Sequence, residues 1–307
     1  MIRYIANRLL QAIPTVILVT ILVFLMLHFT PGDPAQVFLG DRHSTPEQLE
    51  RVRAEMGLDR PLYEQYLNYM SNVLHGDLGR SLITNFPVDD TILTRIPHTL
   101  ELTLASMLIS TVLGVGLGML AALRHNTIID TMAMAFALLG ISVPVYWSSL
   151  LFILLFSVKL GWFPPIGQGS LDRLVLPAFA LAFVSAGALA RMVRSSMLEV
   201  LNQDYVITAR SKGLSERVVI FRHTLRNALI PVVTILGLTF GNLVGGAVLT
   251  ETIFARLGIG RMYVQAVVEK DFTLVQGTTL FVALSYVLIN IGIDLIYVFI
   301  DPRIKYD

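Results

Sequence analysis

The sequence predicts an all-α integral membrane protein with six transmembrane helices, a single transmembrane domain over residues 1–307. Three observations carry that expectation. The chain is 54% hydrophobic and only 15% charged, against about 25% charged for a soluble domain, so it has too few charges to cover a water-facing surface. Six apolar runs approach or exceed the roughly twenty residues that a span needs: Leu9–Phe29, Leu100–Leu123, Thr131–Val158, Leu174–Ala190, Ile230–Thr250 and Val275–Ile300. The longest strongly basic stretch lies between the fourth and fifth runs, where an excess of Lys and Arg marks a cytoplasmic loop.

The first run is too long for a signal-peptide core and no small-residue cleavage site follows it, so it reads as a retained anchor. Residues 30–98 form a helical external insertion. Ser44/Thr45-Pro46-Glu47 is a helix start, with Leu49, Val52 and Met56 on one face, and Pro61 begins a second helix with Leu62, Tyr66, Tyr69 and Met70 on one face. In the second span Ser106, Ser110, Gly114, Gly118 and Ala122 recur every four residues, and in the fifth Gly237, Gly241 and Gly245 do the same. Small residues at this spacing let helix backbones approach closely. Packing within the chain is the simpler expectation, and a seam between subunits the sharper one. In the third span Pro144, after Gly140, predicts a kink or break. Tyr146 and Trp147 follow it, and core packing is favoured for them over lining a passage. Asp294 lies in the sixth span, where a carboxylate costs roughly 2.5–3.5 kcal/mol, so it should face protein or water. Helix locking is favoured there over pathway lining. Glu101, Glu251 and His28 fall near the outer interface, where hydration makes a charge inexpensive, and His28 reads as interfacial rather than as a ligand.

With the N-terminus inside, the inner side holds Arg3, Arg8, Arg124, the basic loop, Arg303 and Lys305, and the shorter outer loops hold Lys159, Arg173, Arg256, Arg261 and Lys270. Both termini are then cytoplasmic. The basic loop, 191–229, carries Arg191, Arg194, Arg210, Lys212, Arg217, Arg222 and Arg226 against Glu199, Asp204 and Glu216. Its pattern predicts a helix over about Asp204–Lys212 stopped by Gly213, then a second helix over Ser215–Asn227.

Composition also excludes. The sequence has no cysteine, six scattered histidines and a net charge of +1, so thiolate metal sites are ruled out and neither other metal chemistry nor a nucleic-acid partner is expected. No HExxH or GxSxG occurs, and no glycine is followed by lysine, so the P-loop route to ATP is closed. The chain is expected not to be an enzyme. A secondary transporter would show inverted repeats and paired broken helices, and the sequence offers one break and no repeat.

Ordered motifs run through nearly the whole chain: Thr30-Pro31-Gly32-Asp33-Pro34-Ala35, His75-Gly76-Asp77-Leu78-Gly79-Arg80-Ser81, Pro97-His98-Thr99-Leu100-Glu101-Leu102, Leu160-Gly161-Trp162-Phe163-Pro164-Pro165, Thr208-Ala209-Arg210-Ser211-Lys212-Gly213-Leu214, His223-Thr224-Leu225-Arg226-Asn227-Ala228, Glu251-Thr252-Ile253-Phe254 and Asp301-Pro302-Arg303-Ile304. Each piece is weak alone, and the ordered set is highly specific. It resembles the permease subunits of binding-protein-dependent ATP-binding-cassette (ABC) importers, especially those for dipeptides, oligopeptides, glutathione and nickel.

The resemblance implies a type I ABC importer permease fold in a bacterial cytoplasmic (inner) membrane. It implies import of di- or oligopeptides, with glutathione or a nickel complex as alternatives. The chain itself would hold no cofactor; ATP and Mg would be bound by two cytoplasmic ATP-binding subunits. A second, related permease and an extracytoplasmic substrate-binding protein would complete the assembly, in contact with membrane lipid. On this resemblance the ATPase contact falls on Asp204, Tyr205, Thr208, Ala209, Arg210, Lys212, Gly213 and Leu214. Tyr146, Trp147 and Asn242 are candidates for the translocation pathway, Asn242 because it interrupts the glycine face of the fifth span. Two departures stand out. The wider superfamily carries Glu-Ala-Ala-three residues-Gly in the loop; here the Glu falls on Ile207 and the first Ala on Thr208, and only Ala209 and Gly213 match. The family's Trp-Pro-Gly after Glu-Thr-Ile-Phe is replaced by Arg256-Leu257-Gly258.

Overall fold

A computed structural model describes residues 2–29, 32–39 and 45–300, with the side chains at 2–9, 27, 234, 238, 246 and 294–300 outside the description. Among the described residues the chain is helical, apart from one isolated bridge between Arg80 and Pro87. The helices are α1 (Ile2–Phe29), α2 (Pro34–Leu39), α3 (Pro46–Glu55), α4 (Leu62–Leu74), α5 (Val88–Leu123), α6 (Ile128–Ser142), α7 (Val145–Lys159), α8 (Asp172–Leu201), α9 (Asp204–Ser211), α10 (Glu216–Ala228), α11 (Ile230–Ile253), α12 (Ile259–Glu269) and α13 (Phe272–Ile300).

All six apolar runs fall on helices. Three helices are individually long and apolar enough to cross a membrane: α5, α8 and α13 over Phe272–Ile293. The bent pairs α6–α7 and α10–α11 raise the number to five, and α1 contributes a shorter apolar helix, Leu10–Met26. The expected break at Pro144 is a bend of 109°. Proline disfavours helical geometry in the residue before it, and Val143 is extended (φ −91°, ψ 123°), which ends α6 and restarts the chain as α7. Asp294, for which helix locking was expected, lies where side chains are outside the description.

The chain divides into two compact units. One comprises residues 1–97 with 258–295. Its core joins Val88 and Ile92 of α5 to Ile259, Met262 and Ala266 of α12 and Leu274 of α13. Asp271, buried, caps α13 by accepting from the Leu274 N–H (3.2 Å), and clamps the insertion by accepting from Ser81 Oγ and the Leu82 N–H (3.1 Å). The His75–Ser81 motif is thereby explained. Gly79 sits at φ +86°, and a Cβ there would lie 2.8 Å from Thr273 Cγ2, so only glycine delivers Ser81 to Asp271. Thr45 caps α3 in a reciprocal pair with Gln48, with Pro46 in the first turn, as the start signal predicted. Asp33 binds Arg53 at 2.5 Å and ties α2 to α3.

The other unit comprises, among the described residues, 98–257 with 296–300 and is built around α8. Ala186, Leu189, Ala190 and Val193 of α8 are almost wholly buried, and the small-residue stripe of α5 packs on them. Gly140 of α6 and Gly187 of α8 likewise give α6 and α8 backbone-to-backbone contact, at Phe183 O and Ala137 O. Leu102, Ala178, Leu181, Leu243 and Ala247 form the cluster that joins α5, α8 and α11.

Candidate coupling segment

The first part of the basic loop, 191–201, continues α8 as helix, and the rest folds as the two helices expected, α9 and α10, joined by a turn at Gly213. Helix α9 is short and two-faced. Val206 and Ala209 point inward onto Val219 and Val200, while Asp204, Tyr205, Ile207, Thr208 and Arg210 point outward. Its end is a Schellman motif: the Gly213 N–H donates to Arg210 O (2.9 Å) and the Leu214 N–H to Ala209 O (3.4 Å). That closure requires the left-handed φ of +77° found at Gly213, where glycine carries no steric penalty.

Two side-chain links fasten α9 to α10. Arg210 Nε donates to Glu216 Oε1 (2.9 Å) across the turn. Tyr205 Oη accepts from Asn227 Nδ2 at 2.8 Å, and Asn227 also donates to His223 O at 3.0 Å. Over Val219–Leu225 helix α10 is π-helical, and buried Thr224 donates its hydroxyl to Val219 O at 3.1 Å. Such widened turns recur at functional sites. Exposed Val218 and Phe221, with Arg217 and Arg222, line a shallow cleft of about 420 Å³ on α10.

Helix α8, from which the segment departs, is tied to α6 by an ion pair that no sequence spacing announces. Buried Asp130, in the first turn of α6, accepts from Arg194 Nε and Nη2 at 2.7 Å each and from the Asn126 N–H at 3.1 Å, with a His125 ring nitrogen at 3.2 Å. Arg194 was legible as a base of the loop; its partner stands far away in sequence and was not.

The structure thus collects the eight candidate coupling residues into one helix and its closing turn. It separates them by role. Ala209 is almost fully buried, so it packs α9 in place and is not itself a contact surface. Ile207, at the position where the wider family's acid falls, is instead an outward apolar residue, 51% exposed.

The membrane candidates fare differently. Tyr146 and Trp147 occupy the first turn of α7 and are 50% and 51% exposed, so the core-packing expectation for them is overturned. The break at Pro144 starts a new helix there, whose first turn packs Val145 and Ser148 inward and leaves Tyr146 and Trp147 on its open side. Asn242 is exposed on α11, in line with Gly245, Leu249 and Thr252. No hydrogen bond among the described residues joins Asn242 to Tyr146 or Trp147.

At the turn after α11 one expectation is corrected. Glu251 is fully buried rather than hydrated, and Thr99 Oγ1 donates to it at 2.6 Å. Arg256, counted as an outer-loop charge, is 1% exposed and donates from Nη2 to Glu101 Oε2 at 2.7 Å. The Arg256 N–H also bonds Glu251 O (2.8 Å), and Gln168 accepts from the Leu257 N–H (2.8 Å). The turn that lacks the family's proline is fixed by a buried guanidinium instead. Among the described residues no group of His, Asp or Glu is spaced to hold a metal ion.

Comparison with known proteins shows the family and the fold. Residues 114–306 match the model of the binding-protein-dependent transport system inner membrane component, and residues 1–103 match the N-terminal model of the same systems. The chain is 46% identical over 311 residues to a Brucella abortus (strain 2308) protein named as a peptide transport system permease, covering 99% of each. It is 42% identical over 306 residues to the glutathione transport system permease protein GsiC of Escherichia coli (strain K12), covering all of both. Among solved structures, the inward-facing MetNI methionine ABC transporter matches with a TM-score of 0.59 at 21% identity, over 69% of this chain and 96% of that one. An amino acid ABC transporter with histidines matches with a TM-score of 0.53 at 16% identity, over 68% of this chain and 93% of that one.

Proposed function

The chain belongs to the binding-protein-dependent transport system inner membrane components, and on that premise we propose that it imports di- or oligopeptides, or glutathione, itself a peptide. Full-length identity to relatives named for peptide and for glutathione transport supports this substrate class. ATP and Mg are bound by two cytoplasmic ATPase subunits, one of which receives α9. A second, related permease forms the other half of the pathway, and both termini of this chain face the cytoplasm.

The observation that carries the mechanism is the outward face of α9, held on a capped and tethered turn. Asp204, Tyr205, Thr208, Arg210, Lys212 and Leu214, together with Ile207, offer mixed polar and apolar contact to a groove on the ATPase. Gly213 closes the helix and Ala209 holds it down. Motion of α9 passes to α10 through Tyr205–Asn227 and Arg210–Glu216, and from α10 across Leu229 into α11, the two helices being bent by 45°. Closing the ATPase pair then tilts α11 as a rigid body. Asn242 on the open face of α11, and Tyr146 and Trp147 on α7, are the side chains of this chain proposed to line the route.

The test is Gly213→Ile. A Cβ at Gly213 meets nothing within 4 Å, so the substitution acts through backbone conformation alone; a β-branched residue resists φ +77° by roughly 1–2 kcal/mol. Peptide uptake should fall severalfold while the ATPase subunits still co-purify with the permease. Normal uptake by this variant would remove the coupling assignment.

A further inference from the structure

Helix α4 belongs to the insertion that the sequence places outside the membrane, yet it packs along a membrane span. Tyr66 Oη lies 2.9 Å from Thr20 Oγ1 of α1, and because Thr20 already donates to Ile17 O, Tyr66 is the donor. Phe24 of α1 stacks near Tyr66 and Tyr69, with ring centroids 5.4 and 6.0 Å apart. His28, at the outer end of α1, meets Gln65 Oε1 at 3.1 Å.

These contacts fix depth. At about 1.5 Å of rise per residue, Thr20 lies roughly 13 Å from the outer end of the apolar run at Phe29, close to the middle of a hydrocarbon core about 30 Å thick. A tyrosine anchored at the aqueous surface cannot reach that far. Tyr69 lies beside Tyr66, its hydroxyl buried with no hydrogen-bond partner among the described residues.

The helix has three faces at 3.6-residue spacing. Tyr66 and Tyr69 turn toward α1. Glu64, Asn68, Ser71, Asn72 and His75 form a polar arc on the far side. Between them Tyr63, Leu67 and Leu74 form an apolar stripe at i, i+4 and i+11, and they are 64%, 62% and 79% exposed. An external cap bathed in water would leave three large apolar side chains in solvent on a helix already held against a membrane span. An amphipathic helix in the interface plane has this division, with its apolar face several ångströms into the acyl boundary. Tyrosine is enriched at that level.

We propose that α4 is an interfacial helix, its Tyr63–Leu67–Leu74 stripe seated in the outer leaflet and its polar arc facing the extracytoplasmic water. The occupant is lipid because the face is continuous in depth with α1, which itself exposes Leu18 and Leu22. This placement rests on α1 crossing the membrane in the orientation given above.

The chain has no cysteine, so single-cysteine variants need no prior removal. Nitroxides at Leu67→Cys, Leu74→Cys, Asn68→Cys and Ser71→Cys are compared in the assembled transporter, in nanodiscs of phosphatidylethanolamine and phosphatidylglycerol. Collision with oxygen, which enters lipid, is set against collision with a water-soluble nickel chelate. Leu67 and Leu74 should show a severalfold higher oxygen-to-nickel ratio than Asn68 and Ser71. Equal ratios at the four sites, nickel access at Leu67, or exclusion of both quenchers there by a second permease or the binding protein would each overturn the proposal. Leu22→Cys in α1 serves as the reference: nickel access at that site would show that the membrane placement itself is wrong, whereas oxygen access at Leu22 with nickel access at Leu67 would refute the interfacial helix alone.

Discussion

Helices α5 and α11 carry the same sequence device, small residues every four positions, and use it in opposite ways. On α5 the whole stripe, Ser106, Ser110, Gly114, Gly118 and Ala122, is buried. A Cβ on Gly114 would lie 2.5 Å from Leu189 Cβ, and one on Gly118 would lie 2.5 Å from Ala190 O and 2.7 Å from Val193 Cβ. The backbones of α5 and α8 therefore touch where a methyl group would otherwise stand. On α11 Gly241 is buried but Gly245 is open, with nothing within 4 Å of its would-be Cβ, and Asn242, Leu249 and Thr252 share its exposure. Spacing alone says that a close approach is possible. It does not say to whom. The first stripe is satisfied within the chain; among the described residues the second is left open beside Asn242, Leu249 and Thr252.

The comparison is broken most severely at Gly118. Gly118→Val drives two methyl groups into Ala190 and Val193, and overpacking of this kind costs about 1–3 kcal/mol or more when backbone cannot yield. The expected result is loss of monodisperse protein in detergent and a lowered unfolding temperature for whatever remains. Full recovery with wild-type stability would mean that α5 and α8 do not approach as closely as described.

Gly245→Leu is the opposite case. The side chain enters open space, and replacing a mid-helix glycine is neutral or favourable for the helix by up to about 1 kcal/mol. Stability of the isolated chain should hold, while uptake by the assembled transporter falls severalfold because the seam no longer closes. Cysteines at Asn242 and Gly245 should crosslink to the second permease. Crosslinks that stay within one chain would assign this face to internal packing and erase the contrast with α5. Gly241 is unsuitable for such a probe, since it is buried.

Much of this was readable in advance. The apolar runs gave the helices, Thr45-Pro46 gave a start, Pro144 gave a break, and Gly213 gave a stop, because each is local chemistry acting on its own backbone. What was not readable depends on partners distant in the chain. Asp130 looks like an ordinary helix N-terminal acid until Arg194 closes on it. Glu251 looks hydrated until Thr99 and the Arg256 turn enclose it. Tyr146 and Trp147 look like core aromatics, and the described residues leave them half exposed. The π-helical turn of α10 has no residue signature at all; it is visible only as a widened hydrogen-bond pattern with Thr224 inside it. In the coupling segment the positions were legible and the roles were not, since the inward facing of Ala209 and outward facing of Ile207 are set by where α10 packs.

The smallest effect separates size from polarity on the α5 stripe. Ser106 donates to Leu102 O at 2.7 Å and Ser110 to Met107 O at 3.0 Å, both carbonyls of the same helix. Neither hydroxyl reaches α8, so neither is an interhelical hydrogen bond, which in membrane proteins averages only about 0.6 kcal/mol when present. Ser110→Ala removes a hydroxyl whose partner carbonyl keeps its own place in the helix ladder, and it leaves the short side chain that permits contact. The expected change is under about 0.5 kcal/mol, within the range of substitutions that touch no special feature, with transport unaltered. Ser110→Leu should instead resemble Gly118→Val. If alanine proved as damaging as leucine, the stripe would be holding helices by hydrogen bonding, and the reading of α5 as a seam set by steric size alone would have to be given up.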